Sequence, residues 1–417
     1  MAQPSEHRPA SQIAKIDRIG ILATFAIVIL VAALNLSIVF KYSPGGLGWD
    51  LDLVCAAFAA LSEGKDPYIV ANIGESLPFS YPIVTSYPAK FLCLIHAAWP
   101  QAYVIIYLLL LVCSCAALTY ILLHNITEAA LTAIVSISAF AAFLSVAFSG
   151  NIAILEVPFA ALTILAVHRQ RLVVGGIALG LMSSLKMLPL MGVIAFLILP
   201  VGWAQKARAI AASLLTFGAI QLVNIIISGP YGASFLKQLF GRLPGQGSPY
   251  MESGGLENSF INFIFSIFGH LGIEKTSLIA SAIAICCLVV GGLVTMLAQR
   301  MDEMDKFASV RLFGLAYLVC MLFMFRLKPY SLAAFVPFAV AAVMFPERAL
   351  RYIGYLVLVL MPSLLSGTVF DSYYETISLV IFLVVAFGLN VYGSRLSRKS
   401  FDRTFNVESA QLTTHST

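Results

Sequence analysis

Of 417 residues, 60% are hydrophobic and only 11% charged, against about 25% charged in an ordinary soluble domain. So few charges cannot cover a water-facing surface, which excludes a soluble globular fold and leaves lipid as the covering. The apolar stretches are continuous instead of alternating, which excludes a transmembrane β-barrel. The expected fold is all-α, a polytopic membrane protein.

The first apolar run, 19–40, follows Arg8, Lys15 and Arg18. It is too long for a signal-peptide core and has no small-residue cleavage site, so it reads as an uncleaved first helix. Further spans are predicted near 102–122, 129–147, 151–167, 172–186, 187–202, 207–228, 276–298, 307–325, 330–345, 350–367 and 372–393, about twelve in all. The segments 172–186 and 187–202 are short for a hydrocarbon core of about 30 Å. They read as a broken pair of half-length helices meeting around Lys186 and Pro189. Residues 1–393 thus form one multi-spanning domain, and the polar tail 394–417 is expected to be disordered and cytoplasmic.

An even number of spans puts both termini on one side. That side collects sixteen of the twenty-five Lys and Arg residues and nine of the twenty acids, a net +7 against −2 opposite. By the positive-inside rule the termini are cytoplasmic, which predicts a multi-pass protein of the bacterial inner membrane. Two long segments then face outward, 41–100 and 229–275. Most of the seven cysteines lie in apolar runs, where Cys behaves as a small hydrophobe. Cys55 and Cys93 can meet outside the membrane, but a disulfide between them is not expected.

The first outer loop carries most of the candidate chemistry. Within Gly48-Trp49-Asp50-Leu51-Asp52, an acid stands where an N-cap would fall ahead of an Ala-rich helix, 53–61, lying in the interface. Gly64 suits the end of that helix. Both acids read equally well as simple caps. Two Tyr-Pro pairs follow, Tyr81-Pro82 and Tyr87-Pro88, fit for either an aromatic belt or a substrate wall.

Lys186 interrupts an apolar region; an ionisable residue at that depth marks a functional site, unless it snorkels to the headgroups. Arg326-Leu327-Lys328-Pro329-Tyr330 sets two cations and a phenol at an outer helix entrance, suited to a phosphate or to ordinary headgroups. Glu156 and the Glu257-Asn258-Ser259 stretch are smaller signals, and Glu128 reads as a first-turn acid. No part is expected for His96, His124, His168 or His270. The chain carries no Walker A loop and no GxGxxG, so a donor is expected to be membrane-borne, and no nucleic-acid partner is expected.

The order Asp50, Gly64, Asp66-Pro67-Tyr68, Tyr87-Pro88, Gly150-Asn151 and Lys186-x-x-Pro189 resembles glycosyltransferase family 87, of the glycosyltransferase-C superfamily. The resemblance covers roughly residues 20–345. It implies a hexosyltransferase, mannose-like in substrate, that takes its sugar from a polyprenyl-phosphate donor to a lipid or glycan acceptor on the periplasmic face. By position, Asp50 is implied as the catalytic base, with Asp52 as the alternative or supporting acid. Lys186, Arg326 and Lys328 are candidates for the donor phosphate; Tyr68, Tyr87, Asn151, Asn258 and Tyr330 are candidates for the substrate pocket.

The chain departs from the family's common Tyr-Pro-Pro at Tyr87-Pro88-Ala89, and from its common Gly-Gln at Gly150-Asn151. No cofactor or metal site is predicted, although Asp50 and Asp52 together leave a divalent cation open. The rival readings are a transporter or lipid flippase using Lys186 and Glu156, and an O-antigen polymerase-like or ligase-like enzyme using Lys237 and Arg242.

Overall fold

An apolar segment in lipid has no water to satisfy its backbone, so it must coil on itself. The computed structural model describes residues 10–41, 47–74, 79, 81–186, 188–240, 307–322, 329–365 and 376–393, and among these there are helices and turns but no strand. In chain order the helices begin with α1 (Ala10–Lys41), α2 (Trp49–Ser62), the single turn α3 (Val70–Ile73), α4 (Ile83–Ala98) and α5 (Ala102–Leu123). Next come α6 (Ile126–Ser138), α7 (Ala142–Ser149), α8 (Glu156–His168), α9 (Leu172–Leu185) and α10 (Ile194–Ile198). The last are α11 (Trp203–Ser228), α12 (Gly232–Phe240), α13 (Ala308–Leu322), α14 (Val336–Ala342), α15 (Arg348–Leu365) and α16 (Thr376–Gly393).

Among the described residues, five stretches are long and apolar enough to cross a membrane: Leu22–Lys41, Ala102–Leu123, Ile126–Ser149, Trp203–Leu236 and Thr376–Gly393. Shorter apolar helices fill the ground between them. The protein is a membrane protein, all-helical in its described residues. The predicted span 276–298 and most of the second outer segment lie outside the described residues.

Packing follows membrane rules. Helix α11 exposes Leu215, Leu222 and Ile226 while burying Ala209, Ser213 and Asn224, so its small and polar residues face the protein. Opposite them, α9 presents Gly176 and Gly180, one turn apart. A Cβ on Gly176 would lie 2.1 Å from the Ala209 carbonyl oxygen, and one on Gly180 would lie 2.5 Å from that of Ser213. The two backbones touch because those side chains are missing.

The predicted span 129–147 is broken where a single helix was expected. Phe140 and Ala141 adopt left-handed backbone (φ 53° and 50°), separating α6 from α7. Phe140 is buried edge-on against Phe382, 5.6 Å between centroids, and Asn35 Nδ2 donates to the Ile137 carbonyl (3.3 Å). Tertiary contacts thus hold a bend that hydropathy does not register. The break predicted near Lys186 is present. Helix α9 stops at Leu185, Lys186 is extended, and a 3₁₀ turn Leu188–Val193 leads into α10.

Helices α2, α3 and α4 gather on one side of the bundle over a small core of their own, which includes Leu53, Val54, Ala57, Tyr68, Phe79, Tyr81, Ala89 and Phe235. The predicted interfacial helix 53–61 is α2, extended by four residues at its start, with Gly64 in left-handed conformation beyond its end. Contrary to the reading of free thiols, Cys55 and Cys93 form a disulfide (S–S 2.09 Å, Cα–Cα 5.5 Å) joining α2 to α4. Cysteines in apolar runs read as small hydrophobes; only the packing of α2 on α4 brings this pair into range.

Glu128 is more than a first-turn acid. Its carboxylate is buried and takes Arg351 (2.9 Å) and the Tyr352 hydroxyl (3.0 Å), with Arg348 at 3.6 Å, tying α6 to α15. Arg311 is likewise buried, donating to Asn390 (2.8 Å) and to the Met344 carbonyl (3.1 Å), which ties α13 to α16.

Candidate active site

Two glycines create the site. Gly48 precedes α2 at φ 90° and Gly150 ends α7 at φ 68°, both in the region that L side chains rarely adopt. The Gly48 N–H donates to the Phe148 carbonyl at 2.8 Å. A Cβ on Gly150 would lie 2.7 Å from Gly48 Cα, so the two backbones meet where no side chain fits. Tyr103 and Tyr107 of α5 brace the contact, their hydroxyls donating to the carbonyls of Ala147 (2.5 Å) and Gly150 (2.9 Å). The result sets Asp50, two residues past one glycine, beside Asn151, the residue after the other.

Asn151 is the hub. It is fully buried, and its amide nitrogen donates to the Asp50 carboxylate and to the Tyr81 hydroxyl (2.9 Å). Its oxygen accepts from the Lys186 ammonium (2.8 Å) and from the Ala153 N–H (2.9 Å). Two N–H donors and two lone pairs are thereby all used. The amide's orientation is fixed by its neighbours, since only the oxygen can face an ammonium. The same side chain caps the 3₁₀ turn Ile152–Leu155 that opens α8.

Asp50 and Asp52, two residues apart on α2, point into different surroundings. Asp50 is 5% exposed and belongs to the Asn151 network. The Asp52 side chain is about half exposed (53%) and pairs with His96 Nε2 at 3.0 Å. Neither acid caps the helix; the cap position falls on Gly48, and both acids lie in the first turn. There the helix dipole favours negative charge.

Lys186 turns its ammonium toward Asn151 and two aromatic rings. Beyond its bond to Asn151, its ammonium lies 4.1 Å from the Tyr330 ring centroid and 5.9 Å from that of Tyr81. Aromatic faces of this kind stabilise a partly desolvated cation by about 0.5–2 kcal/mol. Tyr81 is buried, and burial, with the Asp50 charge second, pushes its phenol well above the usual range. It therefore stays neutral and keeps its hydroxyl as an acceptor for Asn151. Behind it, the Tyr68 hydroxyl donates to the Tyr81 carbonyl (3.3 Å), and burial raises that phenol too. Asp66 holds this layer together, accepting from the Tyr68 N–H (2.9 Å) and the Ser234 hydroxyl (2.5 Å).

The structure therefore gathers Asp50, Asn151, Lys186 and Tyr330, with Tyr68 one layer back. Tyr87 is not among them, standing 53% exposed on α4. Asn258, Arg326 and Lys328 lie outside the described residues, as do Arg242 and the Lys237 side chain of the polymerase-like reading. The sequence offered Tyr81 only as part of a Tyr-Pro pair fit for an aromatic belt or a substrate wall, and gave no part to His96, which looked isolated until α4 packed beside α2. Among the described residues no three of His, Cys, Asp and Glu cluster as metal ligands.

Chemically, the arrangement is a buried carboxylate linked through one amide to a cation. A site of this kind can take a proton at one end and steady an anion at the other. The model of glycosyltransferase family 87 matches residues 79–329, a stretch that contains Tyr81, Asn151, Lys186 and Glu156 and begins downstream of Asp50. No curated protein matches the chain. The family match spans more than half of a chain whose described residues are helical and apolar: the chain belongs to glycosyltransferase family 87, and is a membrane glycosyltransferase.

Proposed function

We propose that the protein transfers a hexose, mannose-like, from a polyprenyl-phosphate sugar to a lipid or glycan acceptor at the periplasmic face of the bacterial inner membrane. One observation carries this reading: Asp50, Asn151 and Lys186 form a single hydrogen-bonded line from a buried carboxylate to an ammonium. In the reaction the acceptor oxygen bonds the anomeric carbon as the bond from that carbon to the phosphate oxygen breaks. Asp50 takes the acceptor's proton, and polyprenyl phosphate leaves with the bonding electrons. Lys186, with Arg326 and Lys328, neutralises the leaving phosphate. One carboxylate acting as base fits a single displacement, with inversion.

Two further observations support the outward orientation. The charge asymmetry assigns the more basic side to the cytoplasm. The disulfide between α2 and α4 belongs to an oxidising compartment, which the periplasm is and the cytoplasm is not. In this reading the chain crosses the membrane about twelve times, with both termini inside.

The test is transfer by purified protein in lipid, given a polyprenyl-phosphate mannose and a set of lipid and glycan acceptors. Wild type is expected to transfer, and Asp50→Asn to lose about 10³-fold or more in rate, the upper part of the range for removing a general base. Full activity in Asp50→Asn would remove the base assignment. Movement of a solute across the bilayer without sugar transfer would favour the transporter.

A further inference from the structure

We infer that the surface cavity where α9 and α11 begin binds the headgroup of an anionic phospholipid, at the end of the bundle remote from Asp50. Helix α8 starts just after the turn capped by Asn151, and α9 ends beside Lys186, whose ammonium bonds Asn151. The two helices therefore run antiparallel, and the thirteen residues of α8 carry the turn between them about 20 Å from Asn151. Gly176 meets Ala209 and Gly180 meets Ser213, in the same order along both chains. Helices α9 and α11 are thus parallel and start side by side at that far end.

Between the two starts lies a cavity of about 240 Å³, lined by residues that include Gln170, Arg171, Val173, Val174, Gln205 and Arg208. Sites that enclose a whole small molecule measure about 300–1,000 Å³, so this one suits a headgroup whose tails lie outside. Its polar side chains are committed to nothing else. The turn 169–171 is closed by its own backbone, the N–H groups of Arg169, Gln170 and Arg171 donating to the carbonyls of Leu165, Val167 and Ala166. Among the described residues, Gln170, Arg171, Gln205 and Arg208 make no side-chain hydrogen bond or ion pair.

No acid stands among the described residues of the lining, and the chain has no Asp or Glu from Val157 to Met251. Two guanidinium groups with no carboxylate between them suit a phosphate, which each can hold through paired N–H bonds. The ammonium of a zwitterionic headgroup would find no counter-charge there, so the lipid carries net negative charge.

The apolar wall selects a lipid over free phosphate. Val173, Val174 and, one turn deeper on the same face of α9, Ile177 are each more than 40% exposed. They form a track for an acyl chain directly below the arginines. Trp203, the first residue of α11, is 73% exposed and has the Lys206 ammonium 5.0 Å from its ring centroid, a pairing at home at headgroup level. A phosphate held by Arg171 of α9 and Arg208 of α11 bridges the two helices. In the topology proposed above this end faces the cytoplasm, where basic pockets between membrane helices take anionic lipid.

The experiment follows the unfolding temperature of purified protein in neutral detergent, titrated with phosphatidylglycerol, with phosphatidylcholine of the same chains, or with inorganic phosphate. Phosphatidylglycerol is expected to raise it, and the other two to leave it unchanged. Arg171→Gln/Arg208→Gln should weaken the apparent affinity for phosphatidylglycerol about tenfold or more. Lys41→Gln/Lys90→Gln removes the same charge elsewhere and should respond as wild type does. Val174→Trp keeps both arginines but fills the cavity, and should lose the response.

An equal rise with phosphatidylcholine, or a rise with phosphate alone, overturns the inference. So does a full response in the paired arginine variant or in Val174→Trp, or a lost response in the paired lysine control. If the paired arginine variant fails to fold, Arg171→Gln and Arg208→Gln decide singly: each should lose part of the response, and a wild-type response in both overturns the site. No arm uses the transfer reaction, so the result stands apart from the function proposed above.

Discussion

The Asp50 carboxylate accepts a hydrogen bond from the Asn151 amide, across 101 residues of sequence. The bond joins the first turn of α2 to the short connection between α7 and α8. Because Asn151 also holds Lys186, losing the amide removes both of these bonds in one step.

Asn151→Leu is therefore expected to cut transfer about 10²-fold while protein is still recovered from the membrane. The loss matches that of a preorganised polar group aimed at developing charge. Asn151→Gln keeps the amide and should retain more activity than Asn151→Leu. Rates with a fixed donor and acceptor check the order.

Gly150→Ala should damage the site without touching its chemistry. The new Cβ would meet Gly48 Cα at 2.7 Å, in a backbone conformation (φ 68°) that alanine rarely adopts. Strain of that kind costs about 1–3 kcal/mol. A lower unfolding temperature, with activity lost together with it, is the expected result; a wild-type profile would show that the two segments part easily.

The Cys55–Cys93 disulfide closes 38 residues of chain, for which the chain-entropy treatment gives about 4 kcal/mol. Reduction, or Cys55→Ser, should lower the unfolding temperature. In intact cells Cys93 of the Cys55→Ser protein should react with a membrane-impermeant maleimide added from the periplasmic side only after local opening, because Cys93 is not fully exposed. Labelling from the cytoplasmic side alone would invert the proposed topology.

At the other cluster, Arg351→Met should destabilise by up to about 3 kcal/mol, because it removes the buried cation from Glu128 and leaves only the exposed Arg348 and the Tyr352 hydroxyl. Adding Glu128→Gln should recover part of that loss. Unfolding of the two single variants and the double variant measures the coupling, and strict additivity would show that the contact carries none.

Composition alone determined that this chain lives in lipid and is helical, because 11% charged residues cannot clothe a soluble surface and an unpaired backbone cannot stay in a membrane. Local pattern located Asp50, Lys186 and the break at Pro189, since a charge or proline inside an apolar run is visible one residue at a time. It could not separate Asp50 from Asp52. Both acids occupy the same helical turn, and only the contact of Gly48 with Gly150 decides that one meets Asn151 and the other His96. Nor could it pair Cys55 with Cys93, Glu128 with Arg351, or Asn151 with Lys186. Each of those pairs is distant in sequence, and its meeting depends on how whole helices pack. In this membrane core small residues and buried polar groups set the packing, and hydropathy does not register them.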